Sequence, residues 1–130
     1  MNFRDAQILL HIKRYCLDIK EALARCSNDY GQFEKDSLVR HAISMCIMQM
    51  GELAGRLSDA FKDETQDQIM WGSLRSMRNF FAHEYKKIQL PILWESATRD
   101  TSLLLAFCDA YIAANPEAFT FPEIPEEDDA

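Results

Sequence analysis

At 130 residues the chain has the length of one domain, and its 48% hydrophobic content is enough for a core and too much for disorder. The net charge is −7, but Glu117 to Ala130 holds six acids and no bases, so the remaining body carries only −1. A nearly neutral body has no large basic field; nucleic-acid binding is neither excluded nor advertised.

Three of the four prolines fall after residue 115, which leaves the body almost free of helix breakers. Cys16, Cys26, Cys46 and Cys108 form no C-x-x-C pair and sit in apolar helical contexts. They read as reduced core thiols and not as zinc ligands. The first residues lack a signal-peptide run, and no apolar stretch approaches the roughly 18 residues of a membrane span. A soluble, cytoplasmic protein with no membrane partner is expected.

The first helix is predicted from Asn2 to Ala24, with Ile8, Ile12, Tyr15, Ile19 and Leu23 on one face. Asn2 is its candidate N-cap, and Asp5 is the acid three residues on. Cys26 to Gly31 reads as a loop, through the turn formers Ser27, Asn28, Asp29 and Gly31. A second helix, Asp36 to Phe61, is the most apolar. Ile43, Ile47, Met50, Ala54, Leu57 and Phe61 make its stripe, and Leu38, Ala42, Met45 and Leu53 widen it. Met45, Met48 and Met50 read as core filler, and His41 as a surface residue. Gly51 and Gly55 share a face: either another helix approaches closely there, or two glycines are merely tolerated.

Lys62 to Asp67 reads as a charged linker. Thr65 or Asp67 would cap a third helix, Gln68 to Tyr85. After an irregular piece, Lys86 to Leu90, a fourth helix starts at Pro91 and runs to Ala114, where Asn115-Pro116 stops it. Its buried side comprises Trp94, Thr101, Leu104, Leu105, Cys108, Tyr111 and Ile112. No strand signal is present. The expected fold is an all-α antiparallel bundle of four to five helices over residues 1–115. Residues 116–130 form an acidic, proline-containing tail, ordered at most through Phe119 and Phe121.

Groups suited to chemistry gather at Arg78 to Tyr85, R-N-F-F-A-H-E-Y. At about 100° per residue, Leu74, Met77, Phe81 and Tyr85 form a core stripe on the third helix. Arg75, Asn79 and His83 lie on an adjacent polar arc, with Arg78 at the seam. Arg78 and His83 are about 140° apart, so one straight helix brings them together poorly. Either the helix end distorts, or two copies face each other across a two-fold axis.

A histidine moves protons near neutrality, and an arginine grips phosphate oxygens and stabilises developing charge. Asn79 can donate to a phosphate or orient the imidazole, and Tyr85 can stack a base. Together these groups could cleave RNA through its own 2′-hydroxyl. No carboxylates cluster with histidines at metal-ligand spacing, so neither a metal nor another cofactor is expected. Lys86 and Lys87, with Arg75, are candidate RNA contacts. On the residues alone, a structural or interface role for the segment stands beside the catalytic one.

The pattern R-x-x-x-x-H-x-Y at Arg78, His83 and Tyr85 resembles the signature of the HEPN superfamily, in particular its HepT-like toxins. The likeness extends to the N-terminal isoleucine period, M-G-E-L-A at Met50 to Ala54, and I-M-W-G-S-L-R-S-M-R-N at Ile69 to Asn79. It continues through Leu93-Trp94. The resemblance implies a dimeric all-α bundle with both motifs lining one cleft. It also implies a metal-independent endoribonuclease, the toxin of a type VII-like toxin–antitoxin pair. Its antitoxin would be a minimal nucleotidyltransferase of the MNT type that transfers AMP onto the motif tyrosine. By position, Arg78 and His83 are then the catalytic pair, Asn79 their support and Tyr85 the AMPylated residue. The rival reading is a non-catalytic helical partner of such a nucleotidyltransferase.

Overall fold

Four short polar side chains punctuate the chain into helices. Asn2, Asp29, Asp36 and Ser58 each accept from the backbone N–H three residues on, at 2.7, 3.0, 3.1 and 3.2 Å. Each satisfies a donor that a helix start leaves orphaned. The computed structural model of the chain describes residues 1–84 and 90–120, with residues 80–84 described by their backbone alone. Its helices are α1 (Phe3–Arg25), α2 (Tyr30–Lys35), α3 (Ser37–Arg56), α4 (Asp59–Thr65), α5 (Trp71–Glu84), α6 (Leu90–Glu95) and α7 (Thr101–Ala114). There is no strand among the described residues, and the fold is all-α, as expected.

Helix α3 is the centre of the bundle, packed by α1 on one side and by α5 on the other; α7 lies against α1. The predicted stripes are buried. Ile8, Ile12, Ile19 and Leu23 of α1 meet Ile43, Ile47, Met50 and Ala54 of α3, with Leu93, Leu104 and Cys108 in the same core. The predicted cap at Asn2 forms, and Asn115 closes α7 by donating from Nδ2 to the Tyr111 carbonyl at 2.9 Å.

Several expectations are corrected. The loop after α1 is shorter, because Ser27 and Asn28 adopt left-handed φ of 56° and 53° and turn the chain at once. Gly31 then lies inside α2, a helix the local pattern did not reveal, whose Phe33 packs against Tyr30 and Trp94. Arg40 donates to the Phe33 and Glu34 carbonyls and so closes the end of α2.

The long second helix is in fact two. Leu57 and Ser58 are extended, and the buried Asp5 carboxylate accepts from the Ser58 N–H at 2.8 Å and its hydroxyl at 2.6 Å. That partner is distant in sequence, so no helical period displays the break. Lys62 to Thr65, expected as linker, completes α4. Thr65 does not cap α5; it is buried, donates to the Phe61 carbonyl and accepts from the Trp71 indole, both at 2.8 Å. Leu38 and Met45, expected to widen the core stripe, are 79% and 52% exposed, and Ala42 is exposed too.

The fourth helix carries a π-helical turn, Ser96–Asp100, between α6 and α7. The Thr101 hydroxyl donates to the Ser96 carbonyl there, at 2.9 Å. Beyond α7, Pro116–Phe119 makes a 3₁₀ turn against α1 and α7.

Candidate active site on the α3–α5 seam

Helix α5 is anchored at its start by Trp71, which is buried against Phe61 and Phe107 with its indole N–H satisfied by Thr65. Leu74 and Met77 follow on the core side, both half-buried, as the helical wheel predicts. The polar arc then meets α3 across its glycines. A Cβ on Gly51 would overlap the Arg78 Cβ and stand 2.6 Å from the Leu74 carbonyl oxygen. Gly51 is therefore the floor on which the Arg78 turn of α5 rests, and the close-approach reading of that glycine is the correct one. At Gly55 a Cβ would make ordinary contacts, the nearest being Arg75 Nη1 at 3.5 Å.

This floor brings Arg78 to the edge of α3. Its Nη1 donates to Asn79 Oδ1 at 2.8 Å, and its Nη2 stands 3.4 Å from Glu52 Oε2. The other Glu52 oxygen faces Arg56 Nη2 at 3.5 Å. Arg75 lies across Gly55, one turn back along α5. Two arginines, Arg78 and Arg56, thus share one carboxylate on a solvent-facing seam, with Arg75 nearby across Gly55. Arg78 keeps 40% of its side chain exposed, so the guanidinium is accessible to an anion while being held from behind.

Of the sequence-predicted residues, Arg75, Arg78 and Asn79 come together here. His83 lies on α5, with its side chain outside the described residues; Tyr85, Lys86 and Lys87 lie outside them altogether. Sequence reasoning missed Glu52 and Arg56. The signal was present in M-G-E-L-A: once Gly51 marks a contact, the next residue stands about 100° round the helix, at the rim of that contact. Among the described residues, no three His, Cys, Asp or Glu side chains gather as metal ligands would, and no helix is long and apolar enough to cross a membrane.

Among the described residues the fold is all-helical, and its α3–α5 seam leaves arginine side chains partly exposed. The family described as Ribonuclease HepT-like matches residues 12–111, a span that includes both α3 and the Arg78–Tyr85 motif. The chain belongs to that family. No curated protein and no solved structure matches it.

Proposed function

We propose that the chain is an endoribonuclease that needs no metal, acts as a homodimer, and is the toxin of a type VII-like toxin–antitoxin pair. The observation that carries this reading is the half-exposed Arg78 guanidinium, set on the Gly51 floor beside Asn79 and Arg75 in a chain of a ribonuclease family. In this reading His83 removes the proton from a ribose 2′-hydroxyl, and that oxygen attacks the adjacent phosphorus. The 5′-oxygen leaves with a proton supplied by His83 of the partner subunit, and a 2′,3′-cyclic phosphate end remains. Arg78 neutralises the charge that builds on the phosphoryl oxygens, with Asn79 in support. Arg75, Lys86 and Lys87 hold the flanking backbone.

The partner is a minimal nucleotidyltransferase of the MNT type that places AMP on Tyr85. AMP on the Tyr85 hydroxyl adds a bulky phosphate-bearing group within the motif, which would compete with the RNA phosphate for Arg78.

Purified protein incubated with RNA in EDTA tests the activity. We expect cleavage that leaves cyclic phosphate ends and is lost in His83→Ala. Intact RNA with protein free of adenylyl groups refutes the enzyme and leaves a non-catalytic partner of the nucleotidyltransferase. Co-expression with a minimal nucleotidyltransferase of the MNT type should add about 329 Da, or a multiple, per chain at Tyr85, a covalent change visible by intact mass. No adduct, or one elsewhere, refutes the regulatory half.

A further inference from the structure

Arg78 does not hold itself in place. Its side chain leaves α5 over a glycine, which supplies room but no lateral support. Two contacts meet the guanidinium: Nη1 donates to Asn79 on the same helix at 2.8 Å, and Nη2 makes a 3.4 Å ion pair with Glu52 on the facing one. Asn79 alone would leave the group free to swing with its own helix face. Glu52 ties it to α3, and it does so while holding Arg56 with its second oxygen. A carboxylate facing two arginines is outnumbered, so its charge does not cancel the positive field that a phosphate would meet.

We propose that Glu52 is a positioning residue of the active site, holding the Arg78 guanidinium in the orientation in which it receives the scissile phosphate. This inference rests on the ribonuclease reading and adds to it a residue on a different helix from the motif. The expected consequence is a split between binding and turnover. Removing the Glu52 charge deletes a local repulsion against RNA, so KM falls at low salt. The same change frees Arg78, so kcat falls too, because a displaced charge stabilises the transition state less well. Loss of folded protein would lower activity without tightening binding.

Glu52→Gln keeps the size of the side chain and is half-exposed, so the fold is expected to survive, which a thermal melt checks. We expect kcat to fall on the order of tenfold and KM to fall severalfold. In an Arg78→Lys background, where no fork remains to orient, the same substitution should change kcat by less than about twofold. An unchanged kcat in the wild-type background, or equal losses in both backgrounds, overturns the proposal.

A readout independent of cleavage is the Arg78 Nε–Hε signal in a nitrogen-15 relaxation experiment. It should be rigid in the wild type and become as mobile as exposed Arg4 in Glu52→Gln. Unchanged rigidity overturns the role of Glu52 whatever the activity. A wild type that cuts no RNA while Glu52→Gln loosens Arg78 overturns only the ribonuclease reading.

Discussion

The two sides of α3 are packed by opposite means. Toward α1 it presents Ile43, Ile47, Met50 and Ala54, all buried, which interlock with the isoleucines of α1. Toward α5 it presents Gly51 and Gly55, which pack by having nothing there. The first side gains stability from apolar area removed from water, and the second gains proximity. Proximity matters because a long side chain such as Arg78, rooted close to α3, reaches Glu52 and still keeps part of its head in solvent. A site that must hold a cation firmly and yet show it to an anion is better served by the second kind of packing.

The difference can be broken most forcefully on the apolar side. Ile43 is fully buried, and Ile43→Ala should cost about 2–5 kcal/mol through lost transfer energy and the cavity left behind. Chemical denaturation measures this. A cost below about 1 kcal/mol would mean that this face does not dominate stability.

The thiols probe the same side through pH. Burial pushes Cys108 up to about 12 and Cys46 up to about 11, and Cys16 is raised by burial and then by Cys108 and Cys46. Each folded value lies above the unfolded one, so the unfolded chain loses its thiol protons first. The contribution is complete below about pH 8 and is lost as pH rises from there toward the folded values. Tyr111, raised by burial and then by Glu64, adds to the same limb. The melting temperature should fall from about pH 8 upward, with the thiolate absorbance of the fully buried Cys16 and Cys108 appearing only together with unfolding. Thiolates that form at these two positions in the still-folded protein would show that the core side admits water.

On the glycine side, Gly51→Ala forces α5 outward, because the added carbon meets backbone and the root of Arg78 and not a flexible tip. A net loss of about 1–3 kcal/mol is expected, after the modest gain of alanine in a helix. Under the proposed function, RNA cleavage should fall further than the folded fraction does, since Arg78 moves off Glu52. Cleavage that follows the folded fraction alone would separate the floor from the chemistry.

Much of this asymmetry was legible in the sequence. The isoleucine period gave the apolar side, and two glycines at one helical spacing marked the other. The wheel put Arg78 at a seam, which its partial exposure matches. What local pattern did not reveal depends on distant partners. The break at Ser58 is fixed by Asp5, and the burial of Thr65 by Trp71. The local pattern does not single out Glu52, because the residue that gives it meaning lies on α5. Leu38 and Met45 matched the apolar period of α3, yet α1 and α5 leave that arc uncovered. Hydrophobic periodicity reports which residues could be buried, and only the neighbouring helices decide which are.

The finest test lies within the glycine pair. Gly55 has the same spacing signal as Gly51, but a Cβ there would stand 3.5 Å from Arg75 Nη1 and 3.9 Å from its Cδ, an ordinary contact with a movable side chain. Alanine also restricts the unfolded chain and favours helix, so Gly55→Ala should stabilise the protein by up to about 1 kcal/mol. Arg75 would gain a surface to lie on, and RNA affinity should hold within about twofold, since no phosphate-gripping group is removed. The two glycines would then differ in sign although the sequence presents them alike. Should Gly55→Ala destabilise as much as Gly51→Ala, the close approach extends along the whole seam, and Arg75 is held as tightly as Arg78.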